Sequence, residues 1–385
     1  MATVRAQVPL SSCTTLRLGG PAHRFTEAAT EAGIVAGVAA ADERGEPLLV
    51  LGGGSNLLIA DGGFPGTVIR IASRGTGQAA GPDGAVLLTV AAGEDWDGVV
   101  AACVAGGLSG LECLSGIPGL AGATPIQNVG AYGQEVAETV VAVRAYDRER
   151  GVVTELPAAE CGFGYRTSAF KRQAQAVAAG GRCAGATGRF VVLAVTFRLT
   201  RSPLSQPVRY RELATRLGVP EGSRAALAEV RAAVLALRRA KGMVLDPADP
   251  DTRSAGSFFT NPVIGSGQFA ELARQVAGRH GEDVRIPAYP AGEGRVKLSA
   301  AWLIEQAGFW KGYPGKPGEP EPGPRISAKH TLALVNPGSA TAASLLGLAR
   351  EVRDEVRRVF GVELTPEPVL VGLELAASGP AASTP

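Results

Sequence analysis

The chain has 385 residues, of which 45% are apolar and 19% charged; 38 Lys and Arg face 36 Asp and Glu, for a formal net charge of +2. That length exceeds one small core and predicts two or three domains. The near-neutral, scattered charge argues against nucleic-acid or membrane-surface partners. No apolar run approaches the ~18 residues of a membrane span. The N-terminus also lacks the long apolar segment of a signal peptide, so a cytoplasmic protein is expected. Five cysteines, Cys13, Cys103, Cys113, Cys161 and Cys183, are an odd number without CxxC spacing. They read as buried, reduced thiols. His23, His280 and His330 form no ligand cluster, which argues against metal chemistry.

In chain order, Ile34, Val35, Val38 and Ala39 predict a helix over 31–45. A short buried strand over 47–51 runs into Gly52, Gly53 and Gly54, then Ser55, Asn56 and a second apolar run, 57–60. Strands are predicted over 68–71 and 86–90, and a helix over 95–105 opened by Asp95 as a cap. Residues 106–134 are glycine-rich and carry few charges, which predicts a long ordered loop system. Strands resume over 140–146, 151–155 and 190–199, and 172–188 reads as a mobile surface insertion. Over 224–241, Leu227, Val230, Val234, Leu235 and Leu237 recur on one side of an amphipathic helix. Helices are predicted over 297–307 and 341–360, with a loop over 315–325 that is rich in Pro, Gly and Glu. No useful repeat is present, and the mixture predicts α+β domains with largely antiparallel sheets.

Some segments carry chemistry. Gly52-Gly53-Gly54-Ser55-Asn56 after a buried strand allows close backbone approach and can aim successive N–H groups at an anion such as a pyrophosphate. It is not the dinucleotide fingerprint, because Leu57 onward continues as strand, nor a P-loop, because no Gly-Lys-Ser/Thr follows. A glycine-rich hairpin turn is the alternative. The stretch 115–133 alternates small residues with amides and hydroxyls and can lay many backbone donors against a flat, phosphate-bearing cofactor. Within it, Gln127 and Asn128 could hydrogen-bond a heteroaromatic ring edge. Arg166 sits between Tyr165 and the hydroxyls of Thr167 and Ser168, suited to a carboxylate or equally to a surface ion pair. Lys241 ends a helix, where the dipole alone favours a cation. Glu367 lies between Pro366 and Pro368 just before a strand. Ser257, in Ala255-Gly256-Ser257-Phe258-Phe259-Thr260-Asn261-Pro262, is either a strand-end serine with a local backbone bond or a shielded proton donor.

Taken in order, these segments resemble the UDP-N-acetylenolpyruvoylglucosamine reductases, the flavoenzymes that make UDP-N-acetylmuramate for peptidoglycan. GGGSN, IPGLAGATPIQNVGAYGQE, GYRTSAFK, SAGSFFTNP, KLSAAWLIEQAG and PEPVLVG carry the likeness from about Thr14 to Gly372. The resemblance implies an α+β fold with FAD held in two subdomains of the vanillyl-alcohol-oxidase (PCMH) type and a third domain completing the substrate site. It places the first subdomain at 1–75, joined by 362–375, the second at 76–242, the substrate domain at 243–361 and a disordered tail at 376–385. Non-covalent FAD is implied at Gly52, Gly53, Gly54, Ser55, Asn56 and Leu57, and at Ser115, Gly116, Pro118, Gly122, Ala123, Gln127, Asn128, Gly130, Ala131 and Tyr132. NADPH would reduce the flavin, NADP would leave, and the enolpyruvyl sugar nucleotide would enter the same site. The family's proton donor, carboxylate-stabilising arginine and glutamate match Ser257, Arg166 and Glu367. Tyr210 matches the tyrosine that, in the longer-loop subtype, folds over the sugar diphosphate. Lys241, Asn261 and Lys297 are implied substrate contacts, and a monomer is expected. Pro368 stands where the family usually has an apolar residue, and 172–188 is longer than the family pattern. The rivals are a sugar or lactone oxidase of the same fold and a non-catalytic flavin or nucleotide-sugar binding module. Such oxidases often attach FAD through histidine, and neither glycine-rich region has one. A binding module should have lost Ser257, Arg166 or Glu367, and all three are present.

Overall fold

The computed structural model describes residues 3–178, 186–281, 283–316 and 323–375. The expected tail over 376–385, Cys183, residues 179–185 of the expected insertion and 317–322 of the expected loop lie outside them. The chain divides into two compact units: Met1–Cys13, Gly20–Ser55 and Gly62–Leu245 form the first, and Thr14–Gly19, Asn56–Asp61 and Asp246–Pro385 the second.

The first unit holds a four-stranded sheet in the order Arg5–Pro9, Pro21–Ala28, Phe64–Ile71, Leu48–Leu51. Its last three strands pair in parallel. Helix Glu31–Glu43, capped by Thr30 on the Gly33 N–H, buries Ile34, Val38 and Ala41. The larger sheet is antiparallel, in the order Val152–Pro157, Val140–Asp147, Phe190–Arg201, Val86–Ala91, Thr76–Ala80. Val191, Val192 and Leu193 of Phe190–Arg201 are buried in succession, so both faces of the strand are covered there, which explains its near-continuous apolar run. Helix Trp96–Ala105 starts where the Asp95 carboxylate accepts the Gly98 N–H at 2.8 Å, and it buries Trp96, Val99, Val100 and Cys103. Helices Arg211–Leu217 and Leu227–Ala240 close a smaller core of Val208, Leu213, Val230 and Val234 with Cys113. Burial pushes the Cys103 and Cys161 thiols up to about 11 and Cys113 up to about 12, so these three stay protonated, unreactive core groups.

The second unit holds two three-stranded sheets, Ser254–Ser257, Ala333–Val335, Arg325–Ile326 and Val263–Gly265, Arg295–Leu298, Ala288–Pro290. A parallel pair joins Leu57–Ile59 to Val369–Val371. Its longest helix, Ala342–Phe360, is set by a capping box between Thr341 and Ser344 and ended by Gly361 at φ 64°. Leu345, Leu348, Ala349, Val352 and Val356 recur at helical spacing and are buried. Two bonds anchor the short 14–19 segment here: Thr15 Oγ1 donates to the Ser254 carbonyl at 2.6 Å, and Asn336 Nδ2 to the Leu16 carbonyl at 3.0 Å.

Several expectations change. The expected mobile insertion begins as helix: Ala169–Ala178 is helical. Past its undescribed part, Thr187 accepts the Val50 N–H on its hydroxyl at 2.7 Å, and its carbonyl takes Arg148 Nη1 at 2.6 Å. The helix expected over 297–307 splits, because Lys297 and Leu298 belong to strand Arg295–Leu298 and the helix starts only after the Ser299 cap. The sheets are largely antiparallel, as expected, and the parallel pairs among the described strands are those of Phe64–Ile71 with its two neighbours and of Leu57–Ile59 with Val369–Val371. Cys13 is only half-buried. Among the described residues, no helix is long and apolar enough to cross a membrane.

Candidate functional site

The two glycine-rich segments meet within the first unit. A Cβ on Gly53 would lie 2.7 Å from the Gly119 Cα, and one on Gly119 would lie 2.7 Å from Ser55 Oγ. Only glycine at both positions permits this approach. Among the described residues, the N–H groups of Gly53, Gly54 and Ser55 have no hydrogen-bond partner. Gly54 has φ 61°. Unpaired N–H groups on successive residues that include a left-handed glycine form the concave donor array that suits a phosphate. The residues present therefore fit a diphosphate-bearing cofactor.

The second segment is held in place by its own bonds. Trp96 N–H donates to the Gly119 carbonyl at 3.1 Å, Ala121 N–H to Glu94 at 2.9 Å and Gly122 N–H to Ala92 at 2.9 Å. Ser115 is fully buried, and its hydroxyl donates to the Glu112 carbonyl at 2.7 Å. Pro118 is half-buried and Ala123 exposed. Asn128 does not fit the expectation of a ring-edge contact. Its Nδ2 donates to Glu135 at 2.8 Å and to the Gly164 carbonyl at 2.9 Å, and its Oδ1 accepts the Ala137 N–H at 3.2 Å. With both N–H donors spent on the protein, its side chain shapes the loop instead. Gln127 Oε1 accepts from Lys171 Nζ at 2.8 Å.

Arg166 belongs to the same cluster. A tight turn joins Gly164 to Thr167 and puts Arg166 at φ 51°. From there its guanidinium reaches back to the carbonyls of Gly130, at 2.8 Å, and Asn128, at 3.4 Å. Asn128 and Tyr132 also have positive φ, so three of the six described non-glycine residues in that region are among the expected site residues. Such conformations cost of order 1 kcal/mol each and concentrate at functional sites.

Tyr132 packs edge-on to Tyr210, with ring centroids 5.4 Å apart, and Lys241 Nζ stands 5.8 Å from the Tyr132 centroid. Burial pushes the Tyr132 phenol up to about 12. Lys241 caps helix Leu227–Ala240 and donates to Glu212 Oε2 at 2.6 Å. The sequence reading missed Glu212, and it missed Arg238. Burial pushes the Arg238 guanidinium down to about 10, with Tyr132 and Asp97 opposing that shift, so it stays charged at neutral pH. Its Nη2 donates to the Met243 carbonyl at 2.8 Å, and its buried Nε has no partner among the described residues. The signal was there: Leu227, Val230, Val234 and Arg238 share one helical stripe, and an arginine in an apolar stripe is anomalous.

In the second unit, Ser257 closes strand Ser254–Ser257, whose pairing to Ala333–Val335 shifts register between Ser254 and Ser257. Gly256 sits in that irregularity at φ 74°, and nothing lies within 4 Å of a Cβ built on it. The glycine there serves conformation, in a bulge that turns the strand end. Phe258 and Phe259 are both 1% exposed and packed edge to face at 5.2 Å. Each contributes about 2 kcal/mol of burial, which fixes the serine's backbone. Among the described residues, no hydrogen bond engages Ser257 Oγ. Alongside runs 365–367: Thr260 N–H donates to the Thr365 carbonyl at 3.0 Å and Glu367 N–H to the Phe258 carbonyl at 2.8 Å. Asn56 Nδ2 donates to the Glu367 carbonyl at 3.3 Å. The backbone at Glu367 thus runs beside that of Phe258, the residue after Ser257, and Pro368 leads straight into strand Val369–Val371. Asn261 Oδ1 accepts the Ala300 N–H at 2.9 Å and helps start helix Ala300–Gln306. Lys297 lies mid-strand, paired with Val263 and Tyr289.

Comparison with known proteins gives the family. Residues 22–156 match the family described as FAD binding domain, and 247–371 match the UDP-N-acetylenolpyruvoylglucosamine reductase C-terminal domain. A UDP-N-acetylenolpyruvoylglucosamine reductase from Thermobifida fusca is 57% identical over 96% of this chain and 98% of its own. One from Saccharopolyspora erythraea is 55% identical over 95% of each. Among solved structures, a UDP-N-acetylenolpyruvylglucosamine reductase from Thermus caldophilus superposes with a TM-score of 0.62 at 25% identity, covering 96% of this chain and 100% of that one. The α+β architecture with an FAD-binding domain follows, and the chain belongs to the UDP-N-acetylenolpyruvoylglucosamine reductase family.

Proposed function

We propose that this oxidoreductase reduces the enolpyruvyl group of UDP-N-acetylglucosamine enolpyruvate to the lactyl ether of UDP-N-acetylmuramate, using non-covalent FAD and NADPH. The carrying observation is the Ser257 hydroxyl, which makes no hydrogen bond among the described residues, at a bulged strand end whose next residue, Phe258, accepts the Glu367 N–H. Family membership supports the substrate, and the FAD-binding domain supports the cofactor.

Bound FAD would supply the hydride, with NADPH as its source. The N–H array of Gly53, Gly54 and Ser55 would hold the diphosphate, with Gly52, Asn56 and Leu57 continuing that wall. Ser115, Gly116, Pro118, Gly122, Ala123, Gln127, Gly130, Ala131 and Tyr132 would form the other wall, with Asn128 as its brace. Hydride arriving at the methylene carbon builds negative charge on the neighbouring carbon and its carboxylate. Arg166, oriented by the Gly130 and Asn128 carbonyls, stabilises that charge. Ser257 Oγ gives the proton that completes saturation of the C=C bond; a weak acid suffices because the acceptor is strongly basic. Glu367 orients the hydroxyl and the substrate's carboxyl end. Tyr210 serves the sugar diphosphate, Lys241 and Asn261 the nucleotide-sugar side, and Lys297 is a further substrate contact.

The test is anaerobic. NADPH should bleach the yellow protein, and UDP-N-acetylglucosamine enolpyruvate should restore the colour. Bleaching without restoration would refute the substrate, and no bleaching would refute the NADPH step.

A further inference from the structure

The turn that carries Gly116 is clamped from a direction the proposed chemistry does not use. The Gly116 N–H donates to Asp97 Oδ1 at 2.6 Å, and Asp97 in turn takes both terminal nitrogens of Arg231, at 2.6 and 2.9 Å. Asp97 stands in the first turn of helix Trp96–Ala105 and Arg231 on helix Leu227–Ala240. Arg231, Leu235 and Arg238 recur at helical spacing and share a face. Leu235 and Arg238 meet this turn directly and Arg231 through Asp97: a Cβ on Gly116 would lie 2.7 Å from Leu235 Cδ2 and 3.4 Å from Arg238 Nε. Three residues along the chain, Gly119 reaches Ser55 in the N–H array.

The arginines differ in what they face. Arg231 is neutralised by Asp97 in a bidentate pair, a geometry that fixes orientation as well as charge. Arg238 Nε is buried without a partner among the described residues. A bare carboxylate at Asp97 would repel an anionic group bound beside this turn, whereas a paired one leaves the buried charge of Arg238 as the net local field.

We propose that Asp97 and Arg231 are positioning residues for the cofactor: they fix the Gly116 turn, and their mutual neutralisation keeps the loop hospitable to a diphosphate. This rests on the reading that the glycine segments hold FAD, and it adds two residues outside either segment.

The test measures FAD affinity by flavin fluorescence quenching and apoprotein melting temperature, in wild type, Arg231→Gln, Asp97→Asn and the double variant. Arg231→Gln leaves an uncompensated carboxylate and should weaken FAD binding about 10-fold or more. Asp97→Asn keeps an acceptor for the Gly116 N–H and should lose less. The double variant should recover most of the Arg231→Gln loss, although it has lost the bidentate ion pair. The Arg231→Gln defect should also shrink as salt is raised. If FAD affinity follows apoprotein melting temperature across the set, with no recovery in the double variant, the pair is only structural and the proposal fails. If wild type binds no FAD, the underlying cofactor reading fails instead, and the two failures are distinguishable.

Discussion

Gly53 and Gly256 are glycines for opposite reasons. At Gly53 the space is taken, because a Cβ would collide with Gly119 backbone at 2.7 Å. At Gly256 the space is open, and φ of 74° is what a side chain resists. The first region works through backbone: close-packed glycines, N–H groups unpaired among the described residues, and braces such as Asn128. The second works through a side chain, the Ser257 hydroxyl, on a strand end fixed by two buried rings. A site built from backbone is broken by adding atoms, and one built from a side chain by removing them.

Removing atoms should have the largest effect. Ser257→Ala should leave bleaching by NADPH intact and slow substrate-dependent reoxidation by about 10²- to 10⁴-fold, the usual worth of a positioned proton donor. Stopped-flow absorbance of the two half-reactions checks this, and normal reoxidation would sink the role. Adding atoms comes next. Gly53→Ala forces backbone apart at a cost of about 1–3 kcal/mol, so FAD affinity should fall about 10- to 100-fold. An FAD titration by fluorescence quenching reads it, and unchanged affinity would show that the close approach does not serve the cofactor.

Gly256→Ala meets no atom and should cost about 1–2 kcal/mol of stability through its left-handed backbone alone. A thermal melt should register a drop of a few degrees, while FAD affinity stays near wild type. A loss of FAD as large as in Gly53→Ala would erase the contrast between the two glycines. Glu212→Gln should lower the substrate KM by less than about five-fold by freeing Lys241 from a half-exposed ion pair worth at most about 1 kcal/mol. A raised KM would mean that Glu212 helps substrate binding instead.

The smallest effect concerns pH. Burial acts to raise the Asp97 carboxyl, but hydrogen bonds from Arg231 and the Gly116 N–H, with the charges of Arg231 and Arg238, hold it below the ordinary aspartate range. Its contribution to folding and to the Gly116 turn is therefore complete above the unfolded aspartate pKa of about 3.9 and is lost only as pH falls through the lower folded value. FAD affinity should be flat from about pH 5 to pH 9 as far as Asp97 is concerned. A titration with a midpoint near pH 6 that disappears in Asp97→Asn would contradict that assignment.

Much of this was legible in order along the chain. Glycines after a buried strand, an aspartate before an apolar helix and a serine beside paired phenylalanines each carry a local physical reason, and local reasons survive without neighbours. Thr76–Ala80 was not legible, because an exposed, polar edge strand has no apolar alternation to show. The break at Ser299 was missed because 297–307 reads as one amphipathic run, while Lys297 pairs with Val263 and Tyr289 from distant sequence.

By itself the sequence determined the motifs, their order, the Asp95 cap and the family, since these depend on residue type and short spacing. Tertiary structure alone decided that Gly53 lies against Gly119, that Glu367 runs beside Phe258 and that Asn128 is spent on bracing. It also set Asp97 between Gly116 and Arg231, 134 residues away along the chain. Those facts are contacts between groups remote in sequence. They follow from how sheets and helices bury their apolar faces, which no short window of residues contains.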